Sequence, residues 1–146
     1  MLMILFTALL ALGAGWDLWQ RRIPNALVIA MCAVGVLFLA ATSGLRGVLL
    51  VGLAGAVTGL AVWLPFWLMR FIGAGDVKFF VAAAVWLGPR ATLGAALVSA
   101  IAGGILACAW LAMRLHKRGG QRSTVPYGVA MSVGLAAVMW IPMAMR

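Results

Sequence analysis

Glutamate does not occur in this sequence, and aspartate occurs twice, as Asp17 and Asp76. One histidine, His116, and two cysteines, Cys32 and Cys108, complete a short supply of metal-ligating and nucleophilic groups. A zinc site or a disulfide framework needs cysteines that are closer together or more numerous, so both are expected to be small core residues. A thiol nucleophile needs a neighbouring imidazole, and His116 stands in a polar stretch about two helical turns beyond Cys108. Two carboxyl groups and one distant histidine make a poor cation site, so neither a metal nor a cofactor is expected. Charge of any sign is scarce: 9% of residues carry one, against roughly a quarter in a soluble domain. No polar segment is long enough to fold separately, which leaves one domain over residues 1–146.

What fills the sequence instead is apolar: 66% of the chain, in runs near the length that crosses a bilayer. These runs place six spans, at 2–20, 25–43, 47–69, 73–88, 91–113 and 125–145, and predict an all-α membrane protein. The first sixteen residues end in small side chains like a signal peptide. They lack a basic start, however, and Asp17 follows at once, so they read as a retained first helix.

A net charge of +9 in a soluble protein would point to nucleic acid. Here the basic residues lie in short turns between apolar runs, where they set topology and attract anionic lipid headgroups, so no nucleic-acid partner is expected. Arg21, Arg22, Arg70, Lys78, Arg114, Lys117, Arg118 and Arg122 fall on one side; Arg46, Arg90 and Arg146 fall on the other. The richer side is assigned to the cytoplasm of a bacterial inner membrane, which leaves both termini periplasmic. Gly55 and Gly59, like Ser99 and Gly103, stand four apart, a spacing that lets helices approach closely in lipid.

The two aspartates are the exception that needs explaining. A carboxylate at the centre of a membrane helix costs about 2.5–3.5 kcal/mol on insertion scales, less near the ends. Both fall on the assigned cytoplasmic side, at similar depth, where they can meet. From Asp76 to Leu87 a helix spans about 18 Å, short of the roughly 30 Å hydrocarbon core. The fourth span therefore starts upstream of Asp76, or the aspartate lies below the membrane surface. Gly73 and Gly75 leave room for another chain near the carboxyl group, and a helix starting here puts Asp76 in its first turn. Simpler roles exist: an ion pair of Asp17 with Arg21, four residues on, or a cap or Lys78 partner for Asp76. Two carboxyl groups that share a site hold one proton between them, so one can deprotonate water while the other polarises a carbonyl.

These residues resemble a known family. GAGDVK, residues 73–78, resembles the Gly-x-Gly-Asp motif of intramembrane aspartyl peptidases, in the form with Lys78 found in type IV prepilin peptidases. Asp17 followed by Arg21, Arg22, Ile23, Pro24 and Asn25 resembles the first catalytic segment of that family. The resemblance implies Asp17 and Asp76 as the catalytic pair, with Gly73, Gly75, Lys78, Arg21, Arg22, Pro24 and Asn25 shaping the site or binding substrate. It implies removal of a short basic leader from prepilins at the cytoplasmic membrane face. The length resembles the short peptidases of tight-adherence (Flp) pilus systems. Longer members carry a cytosolic segment with paired cysteines and also N-methylate the new terminus; without that segment, methylation is not expected. Thr124 to Gly128 resembles the Pro-aromatic-Gly start of the family's last helix, with Thr124 as cap, Pro126 in the first turn and Tyr127 at the membrane interface. The loop of Arg114, His116, Lys117 and Arg118 reads as a positive-inside anchor.

Two other classes remain open. A small proton-coupled transporter would use Asp17 and Asp76 as a proton relay, although both lie to one side of the bilayer midplane and no internal repeat is evident. A non-catalytic pilus or secretion assembly subunit would tolerate loss of either aspartate. Oligomeric state is not legible.

Overall fold

The computed structural model describes residues 2–20, 23–116 and 127–144. Helices α1 (Leu2–Gln20), α2 (Asn25–Gly47), α3 (Ala54–Leu68), α4 (Ala74–His116) and α5 (Tyr127–Ala144) follow in order, with a π-helical turn, Val48–Leu53, between α2 and α3. The chain is all-helical there, as its apolar runs predict. Helices satisfy their own backbone hydrogen bonds, which a lipid-facing segment must do. Three apolar helical stretches, within α1, from α2 through α3, and within α4, are long enough to cross a membrane.

Two of these stretches bend back on themselves. Gly44 (φ 60°, ψ −159°) and Gly88 (φ 75°, ψ 171°) break the helical backbone, in a region of dihedral space that essentially only glycine occupies. A continuous helix would hold residues 39 and 52 about 20 Å apart, yet a β-carbon on Gly52 would lie 3.1 Å from Leu39 Cδ1. The chain therefore reverses at Gly44. Gly88 precedes Pro89, and the residue before a proline is pushed out of the helical region. These breaks fall within the connections expected at 43–46 and 88–90. The π turn was not foreshadowed by the sequence.

Small residues set the packing, as their spacing predicted. Gly55 lies against the Ala84 carbonyl, and a β-carbon at Gly59 would come within 3.2 Å of Ala84 Cβ and 3.3 Å of Phe80 Cδ1. Gly134 of α5 lies against Ser99 of α4. Trp86 ties α4 to α2 by donating its indole N–H to the Met31 carbonyl (2.9 Å), and its ring packs on Phe6 of α1. Helix α1 runs antiparallel to α5: Thr7 meets Trp140, Leu10 approaches Ser132, and Asp17 meets Gly128. Phe6, Leu10, Gly13 and Asp17 form its buried stripe at helical spacing, while Leu5, Leu12, Trp16 and Trp19 lie exposed. Cys32 is half-buried beside the core, but Cys108 is exposed. The expectation that both are core residues therefore fails for Cys108, because the outer surface of this bundle is as apolar as its interior.

Candidate active site

The register of the two aspartates is set one turn away from them. Phe79 of α4 packs against the bare backbone of Gly13 of α1. Asp17 stands four residues after Gly13 and Asp76 three before Phe79, so each lies on the same helix face as its half of the contact. That contact brings the two aspartates to the same end of the bundle. Asp17 lies one turn from the end of α1, and Asp76 is in the first turn of α4, as expected from the sequence.

The chain reaches Asp76 through a tight helix end. Phe71 N–H donates to the Phe66 carbonyl and Arg70 N–H to the Trp67 carbonyl, both at 2.9 Å, around Arg70 at φ 61°. That pattern closes a helix C-terminus with one left-handed residue, a place glycine usually takes; an arginine there costs about 1–2 kcal/mol. The chain then enters α4 at Ala74, and Gly73 N–H donates back to Asp76 Oδ2 at 3.3 Å. The half-buried Asp76 thus caps its own helix, as one of the simpler roles proposed.

Asp17 is 6% exposed, and its Oδ2 accepts the N–H of Gly128 at 2.9 Å. Gly128 is the second residue of α5, so the carboxylate takes up a backbone donor that the helix itself leaves unpaired. A β-carbon there would stand 2.7 Å from Asp17 Oδ2. The close approach of another chain to a carboxyl group therefore occurs at Gly128. At the predicted glycines, Gly73 instead faces its own Asp76, and a β-carbon on Gly75 would be 3.9 Å from Ile23, an ordinary contact.

Tyr127 anchors the same end of α5. Its half-buried ring lies against Gly103 and meets Trp63 edge-on at 5.9 Å. Trp63 in turn packs on Phe80, four residues beyond Asp76.

The other anticipated site residues divide. Pro24 is the N-cap of α2, its carbonyl accepting from Leu27 and Val28, and Ile23 beside it is buried against Gly75. Asn25 and Lys78 are exposed. Arg21 and Arg22 lie outside the described residues, as do Lys117, Arg118, Thr124 and Pro126.

A profile of the type IV leader peptidase family matches residues 4–108, which include both aspartates. The chain belongs to that family. Among similar proteins is a "Prepilin leader peptidase/N-methyltransferase" of Xanthomonas campestris pv. campestris, 25% identical over 151 aligned residues. The match covers 94% of this chain and 49% of that protein, so this chain spans about half the length of that relative. No solved structure matches.

Within this type IV leader peptidase family member, Gly13, Phe79 and Trp63 lie close to the aspartates or to the residues packed on them without a sequence signal that sets them apart from other apolar or small residues. Gly128 was visible only through its Pro-aromatic-Gly context.

Proposed function

We propose that this chain is an intramembrane aspartyl endopeptidase that removes the short basic leader from type IV prepilins, of the Flp type, at the cytoplasmic membrane face. The proposal rests chiefly on one observation: in a leader peptidase family member, the packing of Phe79 on Gly13 brings the two acidic side chains of the sequence, Asp17 and Asp76, to the same end of the bundle. One carboxylate removes a proton from water while the protonated partner donates to the scissile carbonyl oxygen. The water oxygen adds to the carbonyl carbon. The tetrahedral centre collapses as the group that took the water's proton passes it to the leaving amine and its partner recovers a proton from a hydroxyl of that centre. Asp17 and Asp76 fill these roles, with Gly128 holding Asp17 and Gly73 holding Asp76. Gly75 and Pro24 keep Ile23 against the motif, and Arg21, Arg22, Asn25 and Lys78 are candidates for substrate contact. The proposed activity is the peptidase half of the relative's name; methyl transfer is not part of it. Family membership favours this reading over the transporter and the assembly subunit.

In the proposed topology the chain crosses the inner membrane six times as one catalytic domain, with both termini periplasmic and both aspartates cytoplasmic. The reversals at Gly44 and Gly88 support it, each followed closely by a lone arginine, Arg46 or Arg90. The arm over 74–87 is about 21 Å long, so Asp76 lies below the surface of a 30 Å core. Reporter fusions after Ser43 and Arg90 are expected to read periplasmic, and fusions after Gly119 cytoplasmic. A cytoplasmic Ser43 fusion contradicts this arrangement.

Co-expression with candidate prepilins tests the activity. Cleavage is expected to withstand serine-directed, cysteine-directed and chelating inhibitors. It is expected to fall at both pH extremes, where the pair holds two protons or none. Loss of cleavage on adding a chelator contradicts the mechanism.

A further inference from the structure

Trp63 is 1% exposed, and its indole Nε1 has no hydrogen-bond partner, the one buried side-chain donor or acceptor so placed among the described residues. An unpaired buried N–H costs free energy, and a phenylalanine would fill much of the same space without that cost. The ring meets Phe80 and Tyr127 edge-on, at 5.6 and 5.9 Å, and a weak N–H contact with an aromatic face does not replace a carbonyl acceptor. Both neighbours lead to the aspartates. Phe80 shares a helix face with Asp76, and Tyr127 adjoins Gly128, which holds Asp17.

The substrate brings what this donor lacks. Two carboxyl groups reach a peptide bond only where the substrate backbone is unwound, and unwinding strips its carbonyl oxygens of their helical partners. In a site below the membrane surface that admits little water beyond the one that is consumed, solvent does not replace all of those partners, so the protein must supply donors. Resting on the peptidase reading above, we infer that Trp63 Nε1–H, uncovered as the incoming peptide displaces the rings packed on it, binds a main-chain carbonyl oxygen of the unwound peptide beside the scissile bond. The donor stands unpaired in the free enzyme because its acceptor arrives with the substrate.

The test uses the purified full chain and a synthetic peptide of basic leader plus apolar helix. Trp63→Phe removes the N–H and trims the ring. Replacing Trp63 with 3-benzothienylalanine exchanges only the N–H for sulfur. Both are expected to lower kcat/KM about tenfold, the worth of one hydrogen bond, with melting temperatures equal to or above wild type. Wild-type cleavage by both variants overturns the inference. So does slow cleavage by Trp63→Phe alone, or a fall in melting temperature that tracks the loss of rate, since either assigns the ring to packing. Asp17→Asn and Asp76→Asn run beside them. If these still cleave, the carboxylate pair itself fails and this assignment with it; if they are inactive, a normal benzothienyl variant counts against Trp63 alone.

Discussion

Gly128→Ala is expected to cut prepilin processing about a hundredfold while the protein still inserts and folds. The new β-carbon would sit 2.7 Å from Asp17 Oδ2, 2.9 Å from its Cγ and 3.2 Å from its Cβ. Asp17 has a short side chain, and its neighbour cannot slide away easily. Helix α5 is pinned by Tyr127 against Gly103 and by Gly134 against Ser99 and the Ala95 carbonyl. The carboxyl group must therefore swing away from the Gly128 N–H and out of the position it holds beside α5. A displacement near 1 Å from a reacting centre is enough for a loss of that size. Stability should change less, because overpacking costs about 1–3 kcal/mol, and alanine returns up to about 1 kcal/mol of helix propensity. Gly15→Ala, with nothing within 4 Å of its new β-carbon, is the control and should process substrate normally. Processing rate and detergent melting of the two variants check this. A Gly128→Ala protein that cleaves at the wild-type rate would mean that the Asp17–Gly128 contact does not position a reacting group.

The aspartates and the helical breaks were legible because each violates a strong rule of the membrane environment. A carboxyl group is costly in lipid, so two of them on one side of an otherwise acid-free chain stand out. Gly44 and Gly88 stand in short polar connections, and the proline after Gly88 marks the break further. What surrounds the aspartates was not legible, for a physical reason. In a soluble helix, alternation of polar and apolar residues reveals the buried face. Here Phe6 is buried and Leu5 exposed, and both are apolar. Cys108 was misplaced in the core by the same ambiguity. Trp63 and Trp67, four residues apart, look alike in sequence, yet the first is buried beside Tyr127 and the second is exposed. Gly13 and Gly128 are set apart by what approaches them, the ring of Phe79 and the carboxylate of Asp17, and no sequence pattern reports either contact.

The central claim is that Asp17 and Asp76 are kept for chemistry and not for structure. Asparagine is nearly isosteric with aspartate and uncharged, so it costs less at membrane depth. At position 17 its carbonyl oxygen can still accept the Gly128 N–H, and at position 76 it can still accept from Gly73, so both caps survive. What it cannot do is take a proton from water or share one with a partner carboxylate. Groups retained for catalysis often work against stability, so their neutral replacements should fold as well or better. The decisive measurement is processing of a prepilin by Asp17→Asn and Asp76→Asn, with the detergent melting temperature of each taken from the same preparation. Both variants are expected to accumulate at normal levels, melt at or above the wild-type temperature, and lose cleavage by about a thousandfold or more. Variants that melt early yet still process the substrate would contradict the account, because they would make the pair a structural element of the bundle.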